Sequence, residues 1–519
     1  MTAAASATSV RRLGHQSRTV LAPPLLLVPA ALVPVVAYVV VAVLRIGYPY
    51  ELTYFEGSTV EVAARVVAGQ PLYAPPTTEY APWPYPPLYF WLSGALVRVT
   101  GLNLFTLRLV SFVASVVVLA LLVLIVRRAT GNLVAGIVAA GLYAATYRVS
   151  GAWADTARVD SLLLALLLAA VLVGMRARTW RGGAALGVVF FVAFLAKQNA
   201  LVVAAPVLLW LLFRRRPVGV GATATLGGAI AVSTLVGQRL TDGWYARYVI
   251  FQLPSQSWTL RWLWDFWLQD LLYPFALSVV VLVSVLLVAH RRGRPHRRVL
   301  GDQEAYLLAG LAGLLLASWA ARLHEGGYSN VVMPAYAGLA ALLGVLLARL
   351  LRSLASTSRS DPWSIWSRTA LLAALLIVQA RFMSSWHSSV IPTRADQVAG
   401  DRLIADLRQL PGRVLVPTHP YYLRLAGLPG HASSIAIYDI LHARGGREAV
   451  GTQLPWSLDG VSAVVLDNET DMQLFGPELA GDFTLITPAL VPESVFVPVT
   501  DTPTHPALLF VRTSETSNR

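Results

Sequence analysis

Residues 86–99, PPLYFWLSGALVRV, form the stretch that decides the topology of this chain. The stretch is apolar but only 14 residues long, and it begins with two prolines. A helix needs about 17–25 residues to cross a bilayer. The stretch therefore either crosses the membrane or lies in one leaflet as a juxtamembrane or re-entrant helix, and the two choices reverse the sidedness of everything that follows.

Eleven apolar runs of span length surround this stretch. The first, residues 21–44, is too long for the apolar region of a signal peptide and has no small-residue cleavage site. The others are residues 104–126, 131–147, 157–175, 183–197, 199–213, 218–238, 269–290, 303–321, 330–350 and 367–386. They predict an all-α polytopic membrane domain with about eleven transmembrane helices.

Arginine clusters between these runs separate the two topologies. They lie at residues 127–128, 176–181, 214–216, 291–298 and 349–352. All of them fall on the cytoplasmic side if residues 86–99 do not cross, and all fall outside if they do. The positive-inside rule thus predicts a juxtamembrane or re-entrant helix, a cytoplasmic tail at residues 1–20, and a first outer loop at residues 47–103.

The sequence becomes less hydrophobic after about Pro392. A helix is predicted for residues 395–410 and strands for residues 413–417 and 461–467. We therefore predict a membrane domain at residues 21–390 of a plasma-membrane protein, followed by a small extracytoplasmic α/β domain at residues 391–519. Four residues of this tail, His419, His431, Asp439 and His442, have spacings that match no zinc site.

Composition supports the membrane class. Of the 519 residues, 56% are hydrophobic and 13% charged, with a mean hydropathy of +0.60, whereas soluble domains carry about 25% charged residues. A soluble enzyme and a disordered chain are both excluded. The net charge of +14 lies in short clusters between apolar runs, which does not indicate nucleic-acid binding, and the absence of cysteine excludes disulfides. Of the 41 basic residues only one, Lys197, is lysine.

Polar residues at the predicted outer ends of the spans are the candidate site, because charges beside lipid are costly and usually functional. Glu56 lies at the start of a predicted amphipathic helix, residues 57–68, where it either caps the helix or serves as a functional carboxylate. Glu51 and Glu61 are expected to be solvated. For Asp155, Arg158 and Asp160 the alternatives are a local ion pair and phosphate binding.

Two further groups lie at predicted outer ends. Lys197, with Gln198 beside it, either snorkels to the interface or meets a phosphate oxygen, and the arginine bias of the chain favours the phosphate. His324, Glu325, Tyr328 and Asn330 surround a Gly-Gly turn and suit a base, a metal ligand or a hydrated loop. The aromatic loop at residues 242–267 is either an interfacial belt or the lining for a polyprenyl chain.

Motifs along the membrane part resemble GT-C type membrane glycosyltransferases, specifically the bacterial family 39 group related to protein mannosyltransferases and aminoarabinose transferases. In chain order they are FEG (55–57), AAR (63–65), GQPLY (69–73), YPPLY (85–89), RVDS (158–161), LAKQ (195–198) and HEGGYSN (324–330). The resemblance covers roughly residues 45–345. It implies a polyprenyl-phosphate-linked sugar donor, transfer with inversion, and an extracytoplasmic glycan, lipid or protein acceptor.

The resemblance also implies roles for individual residues. Glu56 corresponds to the acidic residue that acts as base or positions the acceptor, and Asp160 or Asp155 to the acid of the second outer loop. Lys197 and Arg158 would hold the donor phosphate. Where the family often has adjacent Asp-Glu this chain has Phe55 before Glu56, which disfavours a divalent cation; no cofactor is certain.

The sequence thus predicts a hexosyltransferase, with mannose as the example sugar, in which Glu56 is catalytic. Gln198, His324, Glu325, Tyr328 and Asn330 are expected to bind substrate or position a metal. The rival function is a transporter or flippase of lipid-linked sugars, which should carry charges through the depth of the bilayer. A scaffold or receptor for an envelope polymer is a third interpretation, and it needs neither Lys197 nor Glu56.

Overall fold

The structure is a computed structural model, and it describes residues 23–280, 301–357, 362–383, 388–443, 457–475, 477–486, 491, 495–500 and 503–513. The longer helices of the membrane part are α1 (Leu27–Ile46), α2 (Phe55–Val67), α3 (Leu88–Thr100), α4 (Leu104–Thr130), α5 (Leu133–Ala145), α6 (Asp160–Arg176), α7 (Trp180–Ala196), α8 (Ala200–Arg214), α9 (Arg216–Leu240), α10 (Asp302–Leu323), α11 (Met333–Thr357) and α12 (Pro362–Met383). Short helical turns lie at Pro23–Leu26, Trp244–Ala246, Arg247–Gln252, Leu253–Ser255, Trp262–Asp265, Phe266–Leu272, Ser329–Val332 and Ser388–Val390.

Five of the described helical segments are long and apolar enough to cross a membrane. They are Pro24–Ile46, Leu104–Thr130, Arg216–Leu240, Asp302–Leu323 and Ser329–Ser353, and four shorter apolar helices accompany them. A multi-pass membrane protein is therefore confirmed, while the number of eleven crossings stays a prediction. The predicted run at residues 269–290 lies outside the described residues from residue 281 onward.

Glycines bring the helices of the bundle into close contact. A Cβ atom on Gly141 would overlap the backbone of Ala31, and one on Gly183 would overlap the backbone of Val218. Without a hydrophobic force between helices in lipid, such close approach supplies the packing contacts that hold a bundle together. The contacts fix α5 against α1 and α7 against α9.

The two ends of the bundle differ in what they carry. The C-terminal domain covers one end, here called the capped end, where Arg45, Arg108, Asp160, Lys197 and Asn330 are buried. At the opposite end, Arg215 Nε donates to Asp302 Oδ2 at 2.8 Å, and Arg349 pairs with Glu304. Chemistry that needs buried charge is thus concentrated at the capped end.

Residues 86–99 form helix α3, which lies along the capped end. Near its start Tyr89 donates to the carbonyl of Leu107 at 2.8 Å, and near its end Thr100 and Thr106 share a hydrogen bond of 2.7 Å. Val97 belongs to an apolar cluster that includes residues of the C-terminal domain. Both ends of α3 therefore lie at the capped end of the bundle, and the membrane topology of the chain stays a prediction.

The C-terminal domain is a small α/β unit. Its helices are α13 (Arg394–Gln409), α14 (Pro420–Leu425), α15 (Ser434–His442) and α16 (Pro477–Asp482), with a turn at Glu469–Leu474, and its strands are β1 (Arg413–Leu415), β2 (Val461–Leu466), β3 (Phe483–Ile486) and β4 (Leu508–Arg512). The sheet order is β1-β2-β4-β3, with β1 parallel to β2 and the other pairs antiparallel. The predicted helix and both predicted strands are present, within a few residues of the expected bounds.

Two carboxylates of the first loop attach this domain to the membrane part, and both correct an expectation. Glu51 pairs with His419 in a site where both side chains are fully buried. Glu61 accepts from Arg424 Nε at 2.6 Å and Nη2 at 2.7 Å. The expectation that Glu51 and Glu61 are solvated is wrong, because the domain covers the loop that carries them.

Candidate active site

A cavity of about 410 Å³ lies between the capped end and the C-terminal domain. Arg158, Lys197 and Asn330 line it from the membrane part. The C-terminal domain contributes carboxylates to the same cavity, namely those of Asp439, Asp467 and Asp471. Cations of the membrane part and carboxylates of the C-terminal domain therefore line one partly open cavity.

Asp160 organises the floor of this cavity. Lys197 Nζ donates to Asp160 Oδ1 at 2.8 Å, and Asn330 Nδ2 donates to Oδ2 at 3.0 Å. Arg158 Nε lies 3.3 Å from Oδ2. The local ion pair predicted for Arg158 and Asp160 is therefore present. Arg158 and Lys197 share the single carboxylate of Asp160.

Helix ends place these groups. Asp160 is the first residue of α6, and Lys197 follows the last residue of α7. Each charge therefore lies at the helix end where it interacts favourably with the helix dipole. The separate segments that carry Asp160, Lys197 and Asn330 meet at one point because their helices end at the same level of the bundle. A lysine thirty-seven positions away thus becomes a direct partner of Asp160.

Aromatic rings hold the two cations in position. The guanidinium carbon of Arg158 lies 4.4 Å from the ring centroid of Phe55 and 4.4 Å from that of Trp153. Lys197 Nζ lies 5.2 Å from the ring of Tyr85. Such contacts stabilise a cation by about 0.5–2 kcal/mol, more where water is excluded. Phe55, which stands where the family often has an acid, has a clear role as a platform for Arg158.

Glu56 lies outside this cavity, among hydrogen-bond donors. Arg108 Nε and Nη2 donate to its two carboxylate oxygens at 2.8 and 2.6 Å. The backbone amides of Leu52 and Ala157 each donate at 2.8 Å, and the residue is fully buried. With both oxygens engaged, Glu56 is placed to hold the first loop against α4, and its catalytic role stays a prediction.

Asp155 is likewise a structural partner away from the cavity. Arg45 Nε and Nη2 donate to its oxygens at 2.7 and 2.6 Å, and the Tyr147 hydroxyl donates at 2.8 Å. The residue is 1% exposed. Asp155 therefore does not pair with Arg158. Of the two acids predicted for the second outer loop, only Asp160 bonds to residues that line the cavity, and it lies behind them without lining the cavity itself.

The remaining predicted residues are divided between the cavity and its surroundings. Tyr328 and Glu325 line the cavity. Gln198 lies behind the floor and donates to the carbonyl of Pro84 at 2.8 Å. His324 is placed beside Trp258, with 5.9 Å between the ring centroids. Gln198 and His324 thus border the site without lining it.

The carboxylate wall of the cavity is the part that sequence reasoning missed. Burial and then the nearby Glu325 raise the pKa of Asp439 to about 7. Burial and then Asp467 raise the pKa of Asp471 to about 6. The sequence marks Asp439 only as one of four polar residues of the tail whose spacings match no zinc site.

The described residues contain no cluster of side chains suited to bind a divalent cation. Among the residues that the structure describes, no group of three or more His, Cys, Asp or Glu side chains could hold a metal ion. The histidines of the tail are separated: His419 contacts Glu51, and His431 Nε2 accepts from the Val416 amide at 2.8 Å. No step below is routed through a metal.

Comparisons with known proteins concern the family and the fold of the chain. Residues 84–236 match the family model of dolichyl-phosphate-mannose-protein mannosyltransferases. This segment includes Arg158, Asp160 and Lys197, and it begins after Glu56. No curated protein sequence matches the chain.

Solved structures resemble the whole chain at low sequence identity. ArnT from Cupriavidus metallidurans, bound to undecaprenyl phosphate, has a TM-score of 0.50 and 14% identity over 89% of this chain and 96% of that one. The archaeal oligosaccharyltransferase AglB from Archaeoglobus fulgidus, in complex with an inhibitory peptide and a dolichol-phosphate, has a TM-score of 0.51 and 12% identity over 93% of this chain and 74% of that one. The chain has the GT-C fold of these membrane glycosyltransferases, which confirms the resemblance found in the sequence.

Proposed function

We propose that this chain transfers a sugar from a polyprenyl-phosphate donor to an extracytoplasmic acceptor, with inversion at the anomeric carbon. A hexose such as mannose is the proposed sugar. The observation that carries the proposal is the floor of the cavity, where Lys197 and Arg158 share one carboxylate, Asp160. Lys197, Arg158 and Asp160 together carry a net charge of +1, which suits the binding of a phosphate group.

The leaving group explains why the cations matter. As the glycosidic bond breaks, negative charge develops on the lipid phosphate, and fixed cations in a water-poor site stabilise that charge more than water does. The ammonium group of a lysine can donate three hydrogen bonds. In the described part of the chain, Lys197 donates one, to Asp160. Lys197 and Arg158 are therefore placed to hold the phosphate through the reaction.

The route for the lipid chain is proposed along the aromatic loop and α3. Tyr73 packs against Tyr245 and Tyr248 with ring centroids 5.2 and 6.4 Å apart. Leu253 of the same loop reaches the cavity, and Trp264 is exposed. An apolar chain following this surface would end at the two cations.

The rest of the first loop serves the site indirectly. The fully buried Glu56–Arg108 pair holds the loop against the start of α4, and Phe55 next to it supports Arg158. Buried pairs of this kind fix one conformation, since either charge alone would be costly. We therefore assign to Glu56 a positioning role in place of the catalytic one.

The test is release of polyprenyl phosphate from a panel of polyprenyl-phosphate hexoses by the purified protein in nanodiscs, with a cell-envelope extract as acceptor source. Wild-type protein is expected to release it from at least one donor, and Lys197→Ala to lose that activity. Arg413→Ala serves as the matched control, because this exposed arginine pairs with Glu79 away from the cavity. Binding of donors without any release would favour the transporter alternative.

A further inference from the structure

We infer that Asp439, on helix α15 of the C-terminal domain, is the base that activates the acceptor hydroxyl. The inference rests on the proposed function and deepens it. A base is needed on the acceptor side of an inverting transfer, and Glu56 has no oxygen left for that role. The observation is the placement of a carboxylate from a second domain opposite the cations that hold the leaving group.

The position of Asp439 follows from its neighbours. The residue lines the same cavity as Lys197 and Arg158. Tyr85 lines the same cavity, and Lys197 Nζ lies 5.2 Å from its ring. Donor phosphate on the floor and acceptor hydroxyl at the wall would thus lie on opposite faces of the sugar, as inversion requires.

The other carboxylates of the cavity are engaged. Glu325 accepts from Ser257 and, at 3.1 Å, from the Tyr438 hydroxyl. Asp467 Oδ2 lies 3.2 Å from Nε2 of His419. Asp471 Oδ2 accepts from the amide of Asp467 at 3.3 Å.

Asp439 differs from them in being available. Only burial and the charge of Glu325 act on its carboxyl group, and no hydrogen bond to it occurs in the part of the chain that the structure describes. Its pKa of about 7 suits proton transfer near neutral pH. The other titratable or charged side chains that line the cavity are those of Glu325, His442, Asp467, Asp471, Arg158 and Lys197. Of these, only Glu325 shifts the pKa of Asp439.

The step balances without a further reactant. The acceptor oxygen forms a bond to the anomeric carbon while its proton moves to a carboxylate oxygen of Asp439. The bond from the anomeric carbon to the phosphate oxygen breaks, and its electron pair stays on that oxygen beside Lys197 and Arg158. The products are the glycosylated acceptor and polyprenyl phosphate, and the proton on Asp439 returns to solvent.

The first experiment compares Asp439→Asn with Asp471→Asn in nanodiscs, using the donor panel and the envelope extract. Asp439→Asn is expected to slow release of polyprenyl phosphate by about 10²–10⁴-fold, the usual contribution of a general base, with donor binding unchanged. Asp471→Asn removes the same charge from the same cavity and is expected to slow release far less than Asp439→Asn does, because Asp471 Oδ2 already accepts from the Asp467 amide. Equal losses in both variants would overturn the assignment, because cavity charge alone would explain them.

Azide rescue separates a base from a merely structural residue. Azide is an anionic nucleophile and carries no proton to remove, so it should restore release by Asp439→Ala and yield the glycosyl azide. Lys197→Ala should not respond, since its defect lies with the leaving group. Failure of azide to restore Asp439→Ala overturns the base assignment.

The two proposals fail in different ways. A wild-type protein that releases polyprenyl phosphate, together with an Asp439→Asn variant of unchanged rate, overturns the role of Asp439 alone. A wild-type protein that releases it from no donor overturns the proposed function and this inference together.

Discussion

Replacing His419 by leucine should loosen the C-terminal domain from the bundle. His419 and Glu51 are both fully buried, and His419 Nε2 also lies 3.2 Å from Asp467. Removing one member of a buried pair leaves an uncompensated charge and costs about 3–5 kcal/mol. At about 1.4 kcal/mol per factor of ten, the opening equilibrium of the domain should rise roughly 10²–10⁴-fold.

Amide hydrogen exchange in nanodiscs measures this opening. Protected amides of α13, β2 and β4 are expected to exchange faster in His419→Leu by that factor. The double variant that adds Glu51→Met should recover part of the loss, because it removes one of the two buried carboxylates that His419→Leu leaves without a partner, and Asp467 remains. Glu61→Gln is the matched control: its partner Arg424 is 36% exposed, so the loss should be about 0–1 kcal/mol.

The same pair predicts a pH dependence with a defined sign. Burial raises the pKa of Glu51 to about 7, against the lowering effect of His419. Burial lowers the pKa of His419, but Asp467 and Glu51 outweigh it and raise the pKa to about 10. Both groups bind protons more tightly when docked, so the stabilisation is fully present at low pH. The part due to Glu51 is lost as the pH rises from about 4.5 to about 7, and the part due to His419 as it rises from about 6.5 to about 10. After correction for intrinsic exchange rates, an opening equilibrium that does not change with pH would refute the reasoning. The same pH dependence in wild type and His419→Leu would also refute it.

Two further predictions concern the first loop. Glu56→Gln should lower the stability of the protein by about 3–5 kcal/mol, because Arg108 is left buried without its charge partner; a stable protein whose release of polyprenyl phosphate alone is abolished would instead restore Glu56 as the base. Phe55→Leu should raise the donor KM about 2- to 30-fold with little change in kcat, since it removes a cation–π contact worth about 0.5–2 kcal/mol from Arg158, and an unchanged KM in steady-state kinetics would contradict this.

Local features of the sequence predicted much of the membrane part. Hydropathy located most of the helices to within a few residues, and the shortness of residues 86–99 led to a helix that stays at one end of the bundle. Lys197 was found because lysine is otherwise absent from an arginine-rich chain. Arg158 and Asp160 are close in sequence, so their pairing could be anticipated from spacing alone.

Contacts between distant residues could not be predicted in this way. Glu51 and His419 are 368 positions apart, and Arg45 and Asp155 are 110 apart. No periodicity connects such residues, because their meeting depends on the docking of one element on another. Sequence spacing therefore suggests a pair between Asp155 and Arg158 that the structure does not contain. It also suggests that Glu51 is solvated, because the docking of the C-terminal domain over Glu51 cannot be read from the sequence.

The acidic wall of the cavity shows the same limit. Asp439 and Asp471 belong to a domain whose sequence reads as an ordinary α/β unit, and nothing in that sequence indicates which of its faces meets the membrane part. The role proposed for Asp439 depends on the cations that line the same cavity, which belong to segments more than two hundred residues earlier. Only the assembled structure brings the two sets together.

Release of polyprenyl phosphate by Lys197 variants tests the central claim most directly. Purified wild type, Lys197→Ala and Lys197→Glu would be compared in nanodiscs with the donor that the panel identifies, and donor binding would be measured alongside. Loss of a donor to a developing oxyanion costs about 10²–10³-fold in kcat, so Lys197→Ala should fall by that factor and Lys197→Glu further. Undiminished turnover in Lys197→Glu would contradict the assignment of this lysine to the leaving phosphate.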